Sequence, residues 1–212
     1  MSTMCIRIKI CGITNVEDAH AAAALGADAL GFNFVPGTPR YIEQQVAERI
    51  ISHLPPFITT VGVFADAPPE AISQIIRACG LDAAQLHGSE TPEYCTDVGA
   101  RHDVPLIKAF RIKDRQSLSP IPKYKVSAYL LDTYVKGKKG GTGETFNWDL
   151  AREAKAYGRI IIAGGLTPEN VAQAVQHVRP YAVDVGSGVE SSPGKKDHAK
   201  IKAFIQNVRA LC

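Results

Sequence analysis

Eight short apolar runs alternate along this chain with segments of helical periodicity, and that alternation restricts the fold more than any other feature. The runs are RIKIC (7–11), ALGFNF (29–34), TTVGVF (59–64), AAQLH (83–87), PLIKAF (105–110), AYLLD (128–132), IIIAG (160–164) and AVDVGS (182–187). Each is short, rich in branched or small apolar residues and bounded by polar or turn residues, as buried strands are. Strands of this kind, separated by crossovers that nearly all contain a helix, make a parallel sheet buried on both faces. Eight such β/α units close most simply into a TIM barrel, a (β/α)8 fold; an open doubly wound sheet is the second possibility. At 212 residues the chain is short for a barrel that typically takes ~250, so its loops must be lean. No Pro/Gly-rich linker divides it, so residues 1–212 read as one α/β domain.

Cap signals support the helices. Thr14 and Glu17 suit a capping box ahead of VEDAHAAAAL. Thr167 followed by Pro168 suits a helix start at PENVAQAVQ, and Asp197 is placed to cap HAKIKAFIQNVRAL.

Composition excludes several classes. The formal net charge is +3 and the longest basic cluster is KGKK (136–139), which gives little support to nucleic acid or membrane partners. No run approaches ~18 apolar residues, and Arg7 and Lys9 interrupt the N-terminus before a signal-like core can form. The five cysteines are odd in number, scattered and without a CxxC pair, as expected of reduced thiols in a cytoplasmic protein. No His/Cys/Asp/Glu cluster has metal-ligand spacing, so no metal and no cofactor is expected.

In a barrel, function sits where strands end. The first strand ends in Cys11. A cysteine in an apolar strand is usually a small buried hydrophobe. Here Gly12 lets the chain turn, and a helix beginning close by would lower the thiol pKa from ~8.5 toward neutrality. The sixth strand ends in Asp132, either a helix cap or a carboxylic acid that can hand on a proton. Gly164 and Gly165 after strand seven, and Ser187 and Gly188 after strand eight, occupy the usual phosphate corner of barrels; tight turns are the plainer explanation. GGTGETFNW (140–148) could fold over the same group. Neither GxGxxG nor GxxxxGK[ST] occurs. Arg40, in the loop after strand two, has a fork suited to a carboxylate, although most loop arginines are simply solvated. Gln85 and His87 at the end of strand four are either ligands or packed polar residues.

Alternation carries one more consequence. If Cys11 points into the mouth, Lys9 points into the barrel, where an unpaired charge is costly. Asp184 shares that orientation with position 186, so Lys9 is expected to pair with Asp184.

These motifs together resemble the phosphoribosylanthranilate isomerases of tryptophan biosynthesis. The resemblance runs along essentially the whole chain, through KICGIT (9–14), GFNFVPGTPRYI (31–42), VGVF (61–64), QLHG (85–88), LLD (130–132), GGTG (140–143), AGGL (163–166) and DVGSGVE (184–190). Gly186 departs from the pattern, where serine or asparagine is more usual. The resemblance implies a cofactor-free Amadori rearrangement of a small phosphorylated substrate; the chain is expected to be a monomer. Cys11 would be the general base and Asp132 the general acid. Arg40 would hold the anthranilate carboxylate. Gly164, Gly165, Ser187 and Gly188, with Gly141 and Gly143 nearby, would hold the phosphate. The histidine-pathway isomerase would place an aspartate at the end of strand one and show half-barrel repetition. A phosphopentose epimerase would carry metal ligands, and indoleglycerol-phosphate synthase would use strand-end lysines. A barrel that binds a sugar phosphate without catalysis would have no use for Cys11 and Asp132.

Overall fold

The computed structural model describes residues 5–133 and 147–211. Eight parallel strands close into a barrel in sequence order. They are β1 (Arg7–Cys11), β2 (Ala29–Asn33), β3 (Thr59–Phe64), β4 (Ala83–Leu86), β5 (Leu106–Ile112), β6 (Ala128–Thr133), β7 (Ile160–Ile162) and β8 (Ala182–Val185). The open doubly wound alternative is thereby excluded. Among the described residues, seven α-helices pack outside the strands: α1 (Val16–Leu25), α2 (Gln44–Ile51), α3 (Pro69–Cys79), α4 (Pro92–Arg101), α5 (Trp148–Ala154), α6 (Val171–Val178) and α7 (His198–Arg209). The β5–β6 crossover carries only two short 3-10 turns, Arg115–Leu118 and Ile121–Lys123. That economy helps fit eight units into a short chain. A small antiparallel hairpin, β9 (Glu190–Ser192) and β10 (Lys195–Lys196), follows β8; the apolar-run pattern gave no sign of it.

Strand residues alternate between two environments. The outward set (Ile8, Ile10, Leu30, Phe32, Leu86, Leu131 and Val183 among them) packs against the helices in the main core. The inward set forms a small apolar layer of Ala109, Ala128, Leu130, Ile161, Ala163 and Ala182. Above that layer the barrel fills with polar side chains: Lys9, Gln85 and Asp184 are all buried. Lys9 lies beside Asp184 in the β1–β8 register and donates to its Oδ1 at 3.0 Å, so the expected pairing is present.

Two caps differ from expectation. Asn15, not Thr14, caps α1, its side chain accepting from the Asp18 amide. The Thr14 hydroxyl instead donates to the Gly194 carbonyl at 2.6 Å, tying β1 to the hairpin. A long-range partner thus outcompetes the local capping box. Helix α6 begins at Val171, three residues past Pro168, because Asn170 Oδ1 accepts from the Thr167 amide and its Nδ2 donates to the Gly165 carbonyl. Asp197 caps α7 as expected, accepting from the Ala199 and Lys200 amides.

Candidate active site

The strand ends carrying Cys11, His87, Asp132 and Asp184 open into one cavity at the C-terminal end of the barrel. Arg40, Gln85, Gly164, Gly165, Ser187 and Gly188 also line it. Lys9 sits one layer below, and Gly141 and Gly143 lie outside the described residues.

Cys11 owes its position to two glycines. Gly12 turns the chain with φ +80°, and a Cβ there would stand 2.5 Å from Arg40 Cδ. Gly31, across the β1–β2 ladder, leaves room for the Cys11 sulfur, which a Cβ would approach to 2.7 Å. Burial pushes the Cys11 thiol pKa up and the Asp184 carboxylate adds to this; Lys9 and Lys196 pull the other way without reversing it. The expected lowering by a helix terminus is not seen. Helix α1 starts five residues on, and its first turn holds Glu17 and Asp18. The cations beside the sulfur are lysines. Burial alone would lower the Lys9 pKa, but Asp184 and Cys11 raise it above the ordinary value.

Asp132 is 6% exposed. Its Oδ1 accepts from the Thr133 amide at 2.8 Å, and its Oδ2 lies 3.2 Å from His87 Nε2. Gly164, at φ +78°, presses against this carboxylate so closely that a Cβ would collide with Asp132 Oδ1 and the Thr133 amide. The Asp132 carboxylate therefore demands a glycine at 164. At Gly188 a Cβ would run into the Leu166 carbonyl, so the loops after β7 and β8 are packed backbone to backbone. Among the described residues, the amides of Gly165, Ser187 and Gly188 and the Ser187 hydroxyl have no acceptor within the chain. Converging unpaired N–H groups make an anion site.

Arg40 reaches the cavity with its fork half engaged. Nε and Nη2 each donate at 2.7 Å to the two oxygens of Glu190. Glu190 also accepts from Lys196 Nζ at 3.0 Å, and Lys196 donates in turn to the Cys11 carbonyl at 2.6 Å and the Gly186 carbonyl at 3.2 Å. The hairpin after β8 thus clamps Arg40 and two strand ends at once. Motif reading missed Glu190 and Lys196 because Arg40 and Cys11, the partners that tie them to the cavity, are distant in sequence. Arg111 was missed too. It lines the cavity beside Asp132 and has no ion-pair partner among the described residues. Extending PLIKAF by one residue at the strand's own alternation would have found it.

A cavity with a thiol on one side, a carboxyl group on another and an anion-ready corner suits proton transfers on a small phosphorylated substrate. The family of N-(5'-phosphoribosyl)anthranilate (PRA) isomerases matches residues 8–207. The N-(5'-phosphoribosyl)anthranilate isomerase of Geobacter sulfurreducens is 53% identical over 204 residues, covering 96% of this chain and 98% of that protein. A Thermotoga maritima structure, described as monomers generated from the dimeric isomerase, superposes with a TM-score of 0.87 at 41% identity over 97% of this chain and 99% of that one. Another isomerase structure contains reduced 1-(o-carboxyphenylamino)-1-deoxyribulose 5-phosphate, with a TM-score of 0.85 and 41% identity over 97% and 99% of the two chains. The chain belongs to the N-(5'-phosphoribosyl)anthranilate isomerase family.

Proposed function

We propose that this chain converts N-(5'-phosphoribosyl)anthranilate into 1-(2-carboxyphenylamino)-1-deoxyribulose 5-phosphate, the Amadori step of tryptophan biosynthesis. The observation that carries the reading is the placement of Cys11 and Asp132 on different strands of one cavity, next to the unpaired amides of the phosphate corner. Asp132 gives its proton to the furanose ring oxygen. The C1–O bond breaks and the anilino nitrogen pair forms the C1=N bond of a Schiff base. Cys11, as thiolate, takes the proton from C2, the released pair forms the C1=C2 bond, and the C1=N π pair returns to nitrogen, giving an enolamine. The enol proton leaves O2, C1 gains one, and the ketone results. Between turnovers the proton on Cys11 is lost to solvent and Asp132 regains one. Only protons move, so the reaction needs no cofactor.

Lys9 and Lys196 favour the thiolate that this step requires, against the burial that opposes it. Arg40 offers Nη1, the nitrogen not bound to Glu190, to the anthranilate carboxylate, and Gly164, Gly165, Ser187 and Gly188 hold the phosphate. Every group named comes from one chain, so a monomer of one domain suffices; sedimentation of the pure protein tests this. Among the described residues no helix is long and apolar enough to cross a membrane.

The test is the loss of fluorescence of phosphoribosylanthranilate generated in place from anthranilate. Wild type should consume it rapidly, while Cys11→Ser and Asp132→Asn should be slower by several orders of magnitude. Wild-type rates in both variants would refute the assigned roles.

A further inference from the structure

An uninterrupted chain of hydrogen bonds runs from Lys9, the lysine beside Cys11, to Asp132. Lys9 Nζ donates to Gln85 Oε1 at 2.9 Å. Gln85 Nε2 lies 2.8 Å from His87 Nδ1, and His87 Nε2 lies 3.2 Å from Asp132 Oδ2. The first link spans the barrel interior, since β1 and β4 are not neighbours in the sheet. Lys9 and Gln85 are 4% and 1% exposed, so water does not compete for these groups.

The donors and acceptors in this chain can be arranged in one way only. An ammonium donates and never accepts, so Lys9 draws the amide oxygen of Gln85 to itself. The amide nitrogen then faces His87, and it too can only donate. His87 Nδ1 must therefore accept. An imidazolium, with hydrogens on both nitrogens, would set two donors against each other at 2.8 Å. The ring is neutral, and its hydrogen sits on Nε2, pointing at Asp132. Asp184, 3.0 Å from Lys9, supplies the counter-charge that keeps the first donor an ammonium.

We propose that Lys9 and Gln85 are positioning residues that fix His87 as its Nε2–H tautomer, and so aim a hydrogen-bond donor at the carboxylate that Asp132 becomes once it has protonated the ring oxygen. The proposal rests on the assignment of Asp132 as the acid. A fixed donor is matched to the charge that develops during ring opening, and it needs no reorganisation when the charge appears. With the opposite tautomer, a lone pair would face the new carboxylate. Such a bond strengthens as the charge develops in the transition state rather than on substrate binding, so its loss lowers kcat more than it alters KM.

The experiment starts with wild-type protein labelled with 15N-histidine at neutral pH, with the His87 signals assigned by difference from His87→Gln. A pyrrole-type Nε2 and a pyridine-type Nδ1 are expected; the reverse pattern, or an imidazolium, overturns the proposal. Gln85→Glu keeps a partner for Lys9 but presents an acceptor to Nδ1. It should move the ring hydrogen to Nδ1 and lower kcat roughly tenfold to a hundredfold, with KM changed less than about twofold. A reversed tautomer with unchanged kcat overturns the catalytic half of the proposal. If Gln85→Glu does not fold, Gln85→Met, which removes the relay without adding charge, takes its place and should lower kcat alike. A wild-type kcat in that variant has the same overturning force. Asp132→Asn separates the two readings: wild-type turnover there would refute the acid assignment, whatever tautomer the spectra report.

Discussion

Replacing Lys9 by methionine separates stability from catalysis. Lys9 and Asp184 form an ion pair at 3.0 Å with side chains only 5% and 7% exposed. Methionine fills the stem's volume but leaves Asp184 charged and buried without its counter-ion. Breaking a buried pair in this way costs about 3–5 kcal/mol. At about 2–4 °C per kcal/mol for a domain of this size, the melting midpoint should fall by roughly 10 °C. Because Asp184 and Cys11 hold the Lys9 pKa above its ordinary value, the pair's contribution is complete below ~10.4, the unfolded lysine value, and is lost only as pH rises through the higher folded value. The deficit should therefore be constant from about pH 6 to 9. Urea unfolding with parallel turnover assays measures both effects. The double variant Lys9→Met/Asp184→Leu removes both charges and should regain most of the lost stability. Its turnover should stay low, because Cys11 lacks its lysine and Gln85 its anchor. A Lys9→Met cost below about 0.5 kcal/mol, or a double variant as unstable as the two single variants summed, would refute the buried-pair reasoning.

Other consequences can be measured separately. Since burial raises the Cys11 thiol pKa, thiolate absorbance in the free protein should titrate above the ordinary thiol range, and kcat/KM should still be rising with pH where an exposed thiol would be fully ionised. An ultraviolet titration of wild type against Cys11→Ser checks this, and a midpoint at or below ~8.5 would contradict it. Burial alone would raise the Glu190 pKa, but Arg40 and Lys196 lower it below the ordinary carboxylate value. Its stabilisation is therefore present above ~4.3 and lost as pH falls through the lower folded value. Glu190→Gln should cost about 3 kcal/mol at pH 7, flatten that acid limb and raise KM as Arg40 loses its brace, all read by urea unfolding and steady-state kinetics. Gly164→Ala should fold less stably and lose turnover by displacing Asp132, with phosphate binding by calorimetry affected less than kcat.

Barrel closure and strand placement were legible in the sequence because parallel strands buried on both faces leave uninterrupted apolar runs, and those runs fell within one or two residues of the observed strands. The pairing of Lys9 with Asp184 was legible too, because a period of two fixes which residues look inward. Residues whose state depends on distant contacts were not legible. Thr14 reads locally as a cap, yet Gly194 claims its hydroxyl. Arg40 reads as a free fork, yet Glu190, 150 residues on, holds two of its nitrogens. Cys11 reads as a thiol near a helix terminus, yet burial and the carboxylate of Asp184 govern it. Sequence spacing reports strand parity well and says little about what closes over a strand end.

The seam between the first and last strands bears on how the chain is made. A ribosome delivers Lys9 175 residues before the aspartate that neutralises it. Until β8 emerges, β1 can be sequestered only by hiding an ammonium without its counter-ion, which costs several kcal/mol. Truncated nascent chains should therefore keep their first strand wet and exchangeable, and the barrel interior should dry only when synthesis is nearly finished. On this expectation the ion pair should act as a completeness check, keeping the barrel interior open in any chain that stops short of Asp184.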